Sequence, residues 1–199
     1  MNEKEILNIL EEKKAILNGH FLLSSGLHSN RYIQCALVLQ YPDIAEKLAK
    51  VLAEKIIQLH TSSHPYLKID VVVSPALGGI IIGQELARQL KSRAVFTERV
   101  DEKMTLRRGF EIKKNEKVVV VEDVITTGKS TNEVIEVVKN CGGEILNIAS
   151  LVDRSGGKVK FDYPVVSLLK IDVQTWQKEN CPLCKEGKEI VKPGSRGLK

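Results

Sequence analysis

Apolar residues recur at helical spacing twice near the amino terminus. Ile6, Leu7, Ile9, Leu10, Ile16 and Leu17 fall largely on one face of a helix drawn through residues 3–17, with Gly19 closing it. Ile44, Ala45, Leu48, Val51, Leu52 and Ile56, behind Pro42 in the first turn, predict a second helix over 42–59. Between them, residues 20–33 read as strand, polar turn and strand, a hairpin outside the main sheet. Beyond a polar loop at 61–66 the period changes. Short β-branched runs at 69–73, 94–96, 118–121, 145–152 and 165–169 are apolar on both sides, which suits buried strands of a parallel sheet. Helical patterns at 80–90 and around Val134, Ile135, Val137 and Val138 separate them. This alternation predicts an α/β fold: a central, mainly parallel sheet flanked by helices, with ligands gathering at the carboxyl ends of the strands.

The length of 199 residues fits one domain with a small appendage. With 43% hydrophobic residues and no apolar run near about 18 residues, the chain reads as globular, without a membrane segment. Glu3, Lys4 and Glu5 precede the first periodic helix where a signal peptide would carry basic residues and then an unbroken apolar run, so the expected location is the cytoplasm. The formal charge of +5 is concentrated at 185–199, where Lys185, Lys188, Lys192, Arg196 and Lys199 face only Glu186 and Glu189. A basic tail with few aromatics to stack bases reads as a solvated end, so no nucleic-acid partner is expected. Of the four cysteines only Cys181 and Cys184 are closely spaced. That pair is half a zinc site; His60 and His64 lie far upstream in the wrong order for a finger, and turn chemistry around Pro182 is the preferred reading.

The chemistry concentrates in 118–131. A valine run meets Glu122 and Asp123 at its carboxyl end, and then Val124, Ile125, Thr126, Thr127, Gly128, Lys129, Ser130 and Thr131 open a helix. Free N–H groups, small hydroxyls and a glycine at a helix start suit a phosphate. The paired carboxylates would repel one, and suit sugar hydroxyls or a cation such as magnesium. A phosphorylated sugar satisfies both halves. Gly128-Lys129-Ser130 mimics the end of a P-loop, but that motif needs glycine where Asp123 stands. Gly78-Gly79-x-x-x-Gly83 likewise fails the dinucleotide fingerprint on spacing.

Residues 118–131 resemble the phosphoribosyl pyrophosphate (PRPP) motif of type I phosphoribosyltransferases: hydrophobic strand, two acidic residues, then Thr-Thr-Gly-x-Ser. His20-Phe21-Leu22-Leu23-Ser24-Ser25-Gly26-Leu27-His28-Ser29, continuing to Tyr32, is similar to the N-terminal hood of the orotate phosphoribosyltransferases, which covers the pyrimidine. The resemblance implies the type I fold in a single domain over 1–199, with hood elements in 1–35. It implies transfer of phosphoribosyl from PRPP to orotate, giving orotidine 5′-monophosphate and pyrophosphate in pyrimidine biosynthesis. In that reading Asp123 and Lys103 are catalytic. Arg99, Lys103 and residues 122–130 bind PRPP, Thr126 and Arg154 bind orotate, and Mg2+ is held mainly through PRPP rather than by a protein metal site. The basic loop at 99–108 is shared across a homodimer. By charge pattern alone, residues 98–109 form a mobile connection or ribbon. The chain departs from the family at Ser24 and Gly78, where many members carry lysine, and at Thr105, where many carry histidine. Two competing readings are a purine phosphoribosyltransferase, which should lack the hood and the Asp153-Arg154 match, and a PRPP-sensing regulator, which should carry an added nucleic-acid-binding element.

Overall fold

A computed structural model describes residues 1–23, 25–61 and 68–193. Ser24, His64 with most of the loop at 61–66, and the last residues of the basic tail lie outside the described residues. The chain begins with α1 (Glu3–Glu12), β1 (Ile16–Leu22), β2 (His28–Ile33), α2 (Ala36–Leu39) and α3 (Pro42–Thr61). Next come β3 (Val71–Pro75), α4 (Gly79–Leu90), β4 (Arg93–Val100), β5 (Lys103–Leu106), β6 (Lys117–Ile125) and α5 (Lys129–Asn140). It closes with β7 (Glu144–Asp153), β8 (Val165–Lys170), β9 (Thr175–Trp176) and α6 (Pro182–Lys185).

Six strands form the main sheet in the order β5-β4-β3-β6-β7-β8, parallel except for the edge pair β4/β5. Strand alternation divides the core into two layers. Val72, Val119, Val121, Ala149 and Leu151 pack with α1, α3 and α4, while Val71, Val73, Val118, Val120 and Ile148 pack with α5. Burial on both faces explains why these strands are continuous apolar runs rather than alternating ones. The sheet and its flanking helices are those the periodicity predicts.

One local reading needs correction and two are sharpened. The first helix stops at Glu12; Lys14 turns left-handed (φ 57°), its N–H donating to Glu11 O and that of Ala15 to Leu10 O. Ile16 and Leu17 therefore enter β1, opposite Ile33 and Tyr32. Their helical spacing was real, but pairing with β2 outweighs a weak propensity. Second, of the two readings of residues 98–109, a mobile connection or a ribbon, the structure has the ribbon. β4 runs on to Val100 and returns as β5 through Asp101 and Glu102, both at positive φ (47° and 65°), as a two-residue hairpin turn of this hand requires. Met104 and Leu106 reach the core against α5 and hold the ribbon down. Third, the hood is not confined to the amino terminus. β1 and β2 are joined by β9, and Val191 bridges to Phe21.

β3 stays paired with β6 only as far as Val73 and Val120, whereas β6 continues beside β7 to Ile125 and Asp153. After β3 the chain crosses to β4 on one side, and after β6 to β7 on the other. A crevice therefore opens between the carboxyl ends of β3 and β6, the switch point at which open α/β sheets take their ligands.

Candidate active site

Glu122 and Asp123 occupy the far end of β6 beside this crevice. Alternation starts their side chains toward opposite faces. Glu122 nevertheless turns back: its Oε1 accepts from the Asp123 N–H at 3.2 Å, and its carboxyl shares a hydrogen bond with that of Asp123. Glu122 is only 8% exposed. Burial, and then the neighbouring Asp123 group, push its carboxyl up to about 9, so at neutral pH it keeps its proton until a ligand displaces it. Cys35 lies behind the pair, its Sγ 3.8 Å from Asp123 O. Burial, reinforced by both acids, holds this thiol well above its usual range, so it is a neutral wall rather than a nucleophile.

The raised Glu122 carboxyl sets a pH dependence. The folded protein holds a proton that the unfolded chain releases near the ordinary value of 4.5. Stability is thus unaffected below that pH and falls as pH rises toward about 9, by on the order of 1 kcal/mol per pH unit at full slope. The melting temperature of the ligand-free protein should fall between pH 6 and pH 8.5, and Glu122→Gln should flatten that slope; equal slopes would contradict the assignment.

The turn after β3 forms the opposite wall. The Ala76 N–H donates to Thr97 O at 2.7 Å, fastening the turn to β4, and Gly79 and Gly83 let α4 approach Ser74 closely. A Cβ on Gly78 would stand 2.7 Å from Asp123 Oδ2. The glycine at 78 therefore leaves the space that the Asp123 carboxylate occupies. Leu77 projects beside it, 83% exposed.

Residues 126–131 form the floor. Gly128 takes the left-handed conformation (φ 76°), and a Cβ there would meet Val159 at 2.8 Å and the Phe161 ring at 3.0 Å, so only glycine fits. No side chain caps α5; the nearest substitute is a long 3.4 Å contact from the Lys129 N–H to Thr127 Oγ1. Thr126, Thr127 and Lys129 are exposed and Thr131 is buried. The first-turn amides are thus left free of a side-chain cap and could hold an anion. Ile125 is buried in the core and its carbonyl accepts from the Arg154 N–H at 2.9 Å, so it supports the loop without facing a ligand. Half-buried Val124 packs against the opposite layer.

That same hydrogen bond brings Arg154 next to Thr126. Asp153, buried at the end of β7, accepts from the N–H and hydroxyl of Ser155 at 2.9 and 2.6 Å and does not pair with its neighbour. Among the described residues the Arg154 guanidinium has neither a salt bridge nor a side-chain hydrogen bond. Burial lowers its pKa, opposed by the nearby Tyr32 phenol of the hood. A half-buried cation without a partner among the described residues suits a ligand bearing a carboxylate.

The two basic candidates on the ribbon stand apart from this group. Arg99 pairs with Glu133 on α5 and donates to Ser130 Oγ at 3.4 Å, which links it to the phosphate loop. Lys103 lines a shallow groove with Met104, Glu133, Glu136 and Asn140 on the outer flank of α5, and its amine has no ion pair among the described residues. Within one chain, then, Glu122, Asp123, Thr126 and Arg154 gather and Lys103 does not. Sequence reasoning did not find Cys35, and it read Gly78 as part of a glycine turn and as a missing lysine, not as the space for Asp123. The glycines flanking a strand end are the signal for Gly78; nothing local marks Cys35.

Comparison with known proteins agrees with this geometry. The phosphoribosyl transferase domain family matches residues 41–185. Orotate phosphoribosyltransferase of Caldanaerobacter subterraneus subsp. tengcongensis is 52% identical over 198 residues, covering all of both chains. That of Carboxydothermus hydrogenoformans is 53% identical over 192 residues, 96% of this chain and 97% of the relative. The crystal structure of the Aeropyrum pernix orotate phosphoribosyltransferase superposes with a TM-score of 0.67 at 25% identity, covering 83% of this chain and 93% of that one. The chain therefore belongs to the phosphoribosyltransferase family, among its orotate phosphoribosyltransferases.

Proposed function

We propose that the chain transfers the 5-phosphoribosyl group of PRPP to orotate, releasing pyrophosphate and forming orotidine 5′-monophosphate. The observation that carries the base assignment is the Arg154 guanidinium, unpaired among the described residues and set next to Thr126 by its backbone bond to Ile125. It can take the orotate carboxylate through two parallel hydrogen bonds. The amides of 127–131 hold the 5′-phosphate, and Asp123 and Glu122 hold the ribose hydroxyls.

The bond from the anomeric carbon to pyrophosphate breaks, and one from that carbon to the ring nitrogen of orotate forms as the nitrogen gives up its proton. Positive charge grows on the ribose between these events. An anionic Asp123 beside the ring stabilises that charge, so catalysis is positioning and electrostatics, with no covalent nucleophile. Hard carboxylate oxygens at an open crevice suit Mg2+, but the proton-holding Glu122 is a poor direct ligand, which favours a metal carried mainly on PRPP oxygens. A Mg2+ ion held there would supply positive charge against the leaving pyrophosphate.

The free amine of Lys103, turned away from its own crevice, is best explained if the β4/β5 ribbon serves the crevice of a second copy. Exposed Leu77 and Ile81 beside the crevice offer apolar surface to such a homodimer. The direct assay follows orotate consumption with PRPP and magnesium beside adenine, hypoxanthine and uracil. Turnover of orotate alone is expected; turnover of a purine alone would overturn the reading.

A further inference from the structure

His20 and His28 belong to facing strands of the hood, and Cys181 and Cys184 flank the start of α6, more than a hundred and fifty positions away in sequence. The fold brings all four to one point, each offering a ligand atom within 4.8 Å of the other three. We propose that they form a structural zinc site of Cys2His2 type that fastens the hood to the C-terminal segment.

The three nitrogen–sulfur separations lie close to those around a tetrahedral ion. His20 Nε2 lies 3.5 Å from Cys181 Sγ and 3.7 Å from Cys184 Sγ, and His28 Nδ1 lies 3.2 Å from Cys184 Sγ. Zinc with its usual bond lengths sets nitrogen and sulfur about 3.5 Å apart and two nitrogens about 3.4 Å apart. The two imidazole nitrogens, at 2.8 Å, need only a small ring rotation to open to that distance.

The outer shell is also in place. His20 Nδ1 lies 2.9 Å from Lys188 O, and a carbonyl can only accept, so Nδ1 carries the proton. Nε2 is left with a lone pair aimed at His28 and the thiols. A second-shell carbonyl that fixes the tautomer in this way is typical of a metal-binding histidine. His20 and His28 are each 4% exposed and Cys181 is fully buried. Two thiolates and a divalent ion cancel in charge, which removes the cost of burying either alone. The donors are two sulfurs and two imidazoles with no carboxylate, a set that selects zinc over magnesium; four protein ligands leave no open position for chemistry.

The position explains a need for such an ion. The hood is a three-stranded sheet with a two-residue outer strand, too small to support a core of its own. Its other ties to the C-terminal segment, among the described residues, are backbone pairs and one hydroxyl: the short β2/β9 ladder, Leu22 N–H to Val191 O at 2.9 Å, Val191 N–H to His20 O at 2.8 Å, and Ser29 Oγ to Gln174 O at 3.1 Å. An ion near the turn end of the β1/β2 hairpin fastens β2, the strand that also carries Tyr32, to the C-terminal segment.

The test is metal content, measured by mass spectrometry on untagged protein purified in reducing buffer without chelator, and it is independent of which base the enzyme uses. About one zinc per chain is expected, lost in Cys181→Ser and Cys184→Ser and kept in Cys141→Ser. Because the serine variants could misfold, the wild type should also be stripped, reduced and titrated with Co2+. Tetrahedral ligand-field bands with a thiolate charge-transfer band are expected, displaced by Zn2+. Hydrogen exchange should show residues 16–33 and 175–191 loosening on chelation while β3, β6 and β7 stay protected. Wild-type protein that lacks zinc and takes up neither Zn2+ nor Co2+ overturns the proposal, as does a Cys181–Cys184 disulfide found in the reduced preparation.

Discussion

Asp123→Asn should lower kcat/KM for PRPP and orotate by at least about tenfold, a loss of about 1.4 kcal/mol of transition-state stabilisation, with kcat falling rather than KM rising. The reason is geometric. Asp123 stands at the carboxyl end of β6, in the space that Gly78 leaves open, and its neighbour Glu122 holds a proton. It is thus the group able to set full negative charge against a ribose that becomes cationic only in the transition state. Binding lost equally from substrate and transition state would raise KM alone. The amide keeps size and hydrogen bonding, so the melting temperature should change little. Steady-state kinetics with both substrates varied, beside a melting curve, checks this; an unchanged kcat/KM would remove Asp123 from the mechanism.

Lys103→Ala should cost at least about tenfold as well, through loss of a charge that follows the departing pyrophosphate. Here the expected behaviour of mixtures matters more than the single number. Lys103 faces the outer flank of α5 in its own chain, with no partner there among the described residues. If the ribbon serves a neighbouring crevice, Lys103→Ala and Asp123→Asn chains are defective at complementary halves of the site. Unfolding and refolding them together should produce some heterodimers with one intact site, so the mixture should be more active than either parent. No gain in a mixture shown by light scattering to be dimeric would place Lys103 in its own crevice or outside the reaction.

Local sequence carried much of this molecule. Strands buried on both faces demand unbroken β-branched runs, so the valines of β3 and β6 declare themselves without any partner in view. The phosphate cradle is equally local. A strand end, small hydroxyls, a glycine with no room for a Cβ and a helix start are consecutive in the chain, and their chemistry follows from backbone N–H groups that any such turn exposes. The family match over 118–131 was legible for the same reason.

Tertiary structure decided what depends on distant partners. Ile16 and Leu17 carry helical spacing yet form a strand, because β2 offers a ladder that no propensity registers. The charged stretch at 98–109 reads as solvated, yet Arg99 and Arg108 are pinned by Glu133 and Glu98, and Met104 and Leu106 find a core. Arg154 could have been half of a surface ion pair until the buried Asp153 was seen to accept from Ser155 instead. The clearest case is Cys181 and Cys184. On the chain they are half of a metal motif with the wrong histidines upstream, and His20 and His28 become candidates only once the hairpin sets them face to face beneath α6. Periodicity and short motifs report contacts made within a few residues. A cluster assembled across the whole length of the chain leaves no local trace, and it took the fold to reveal it.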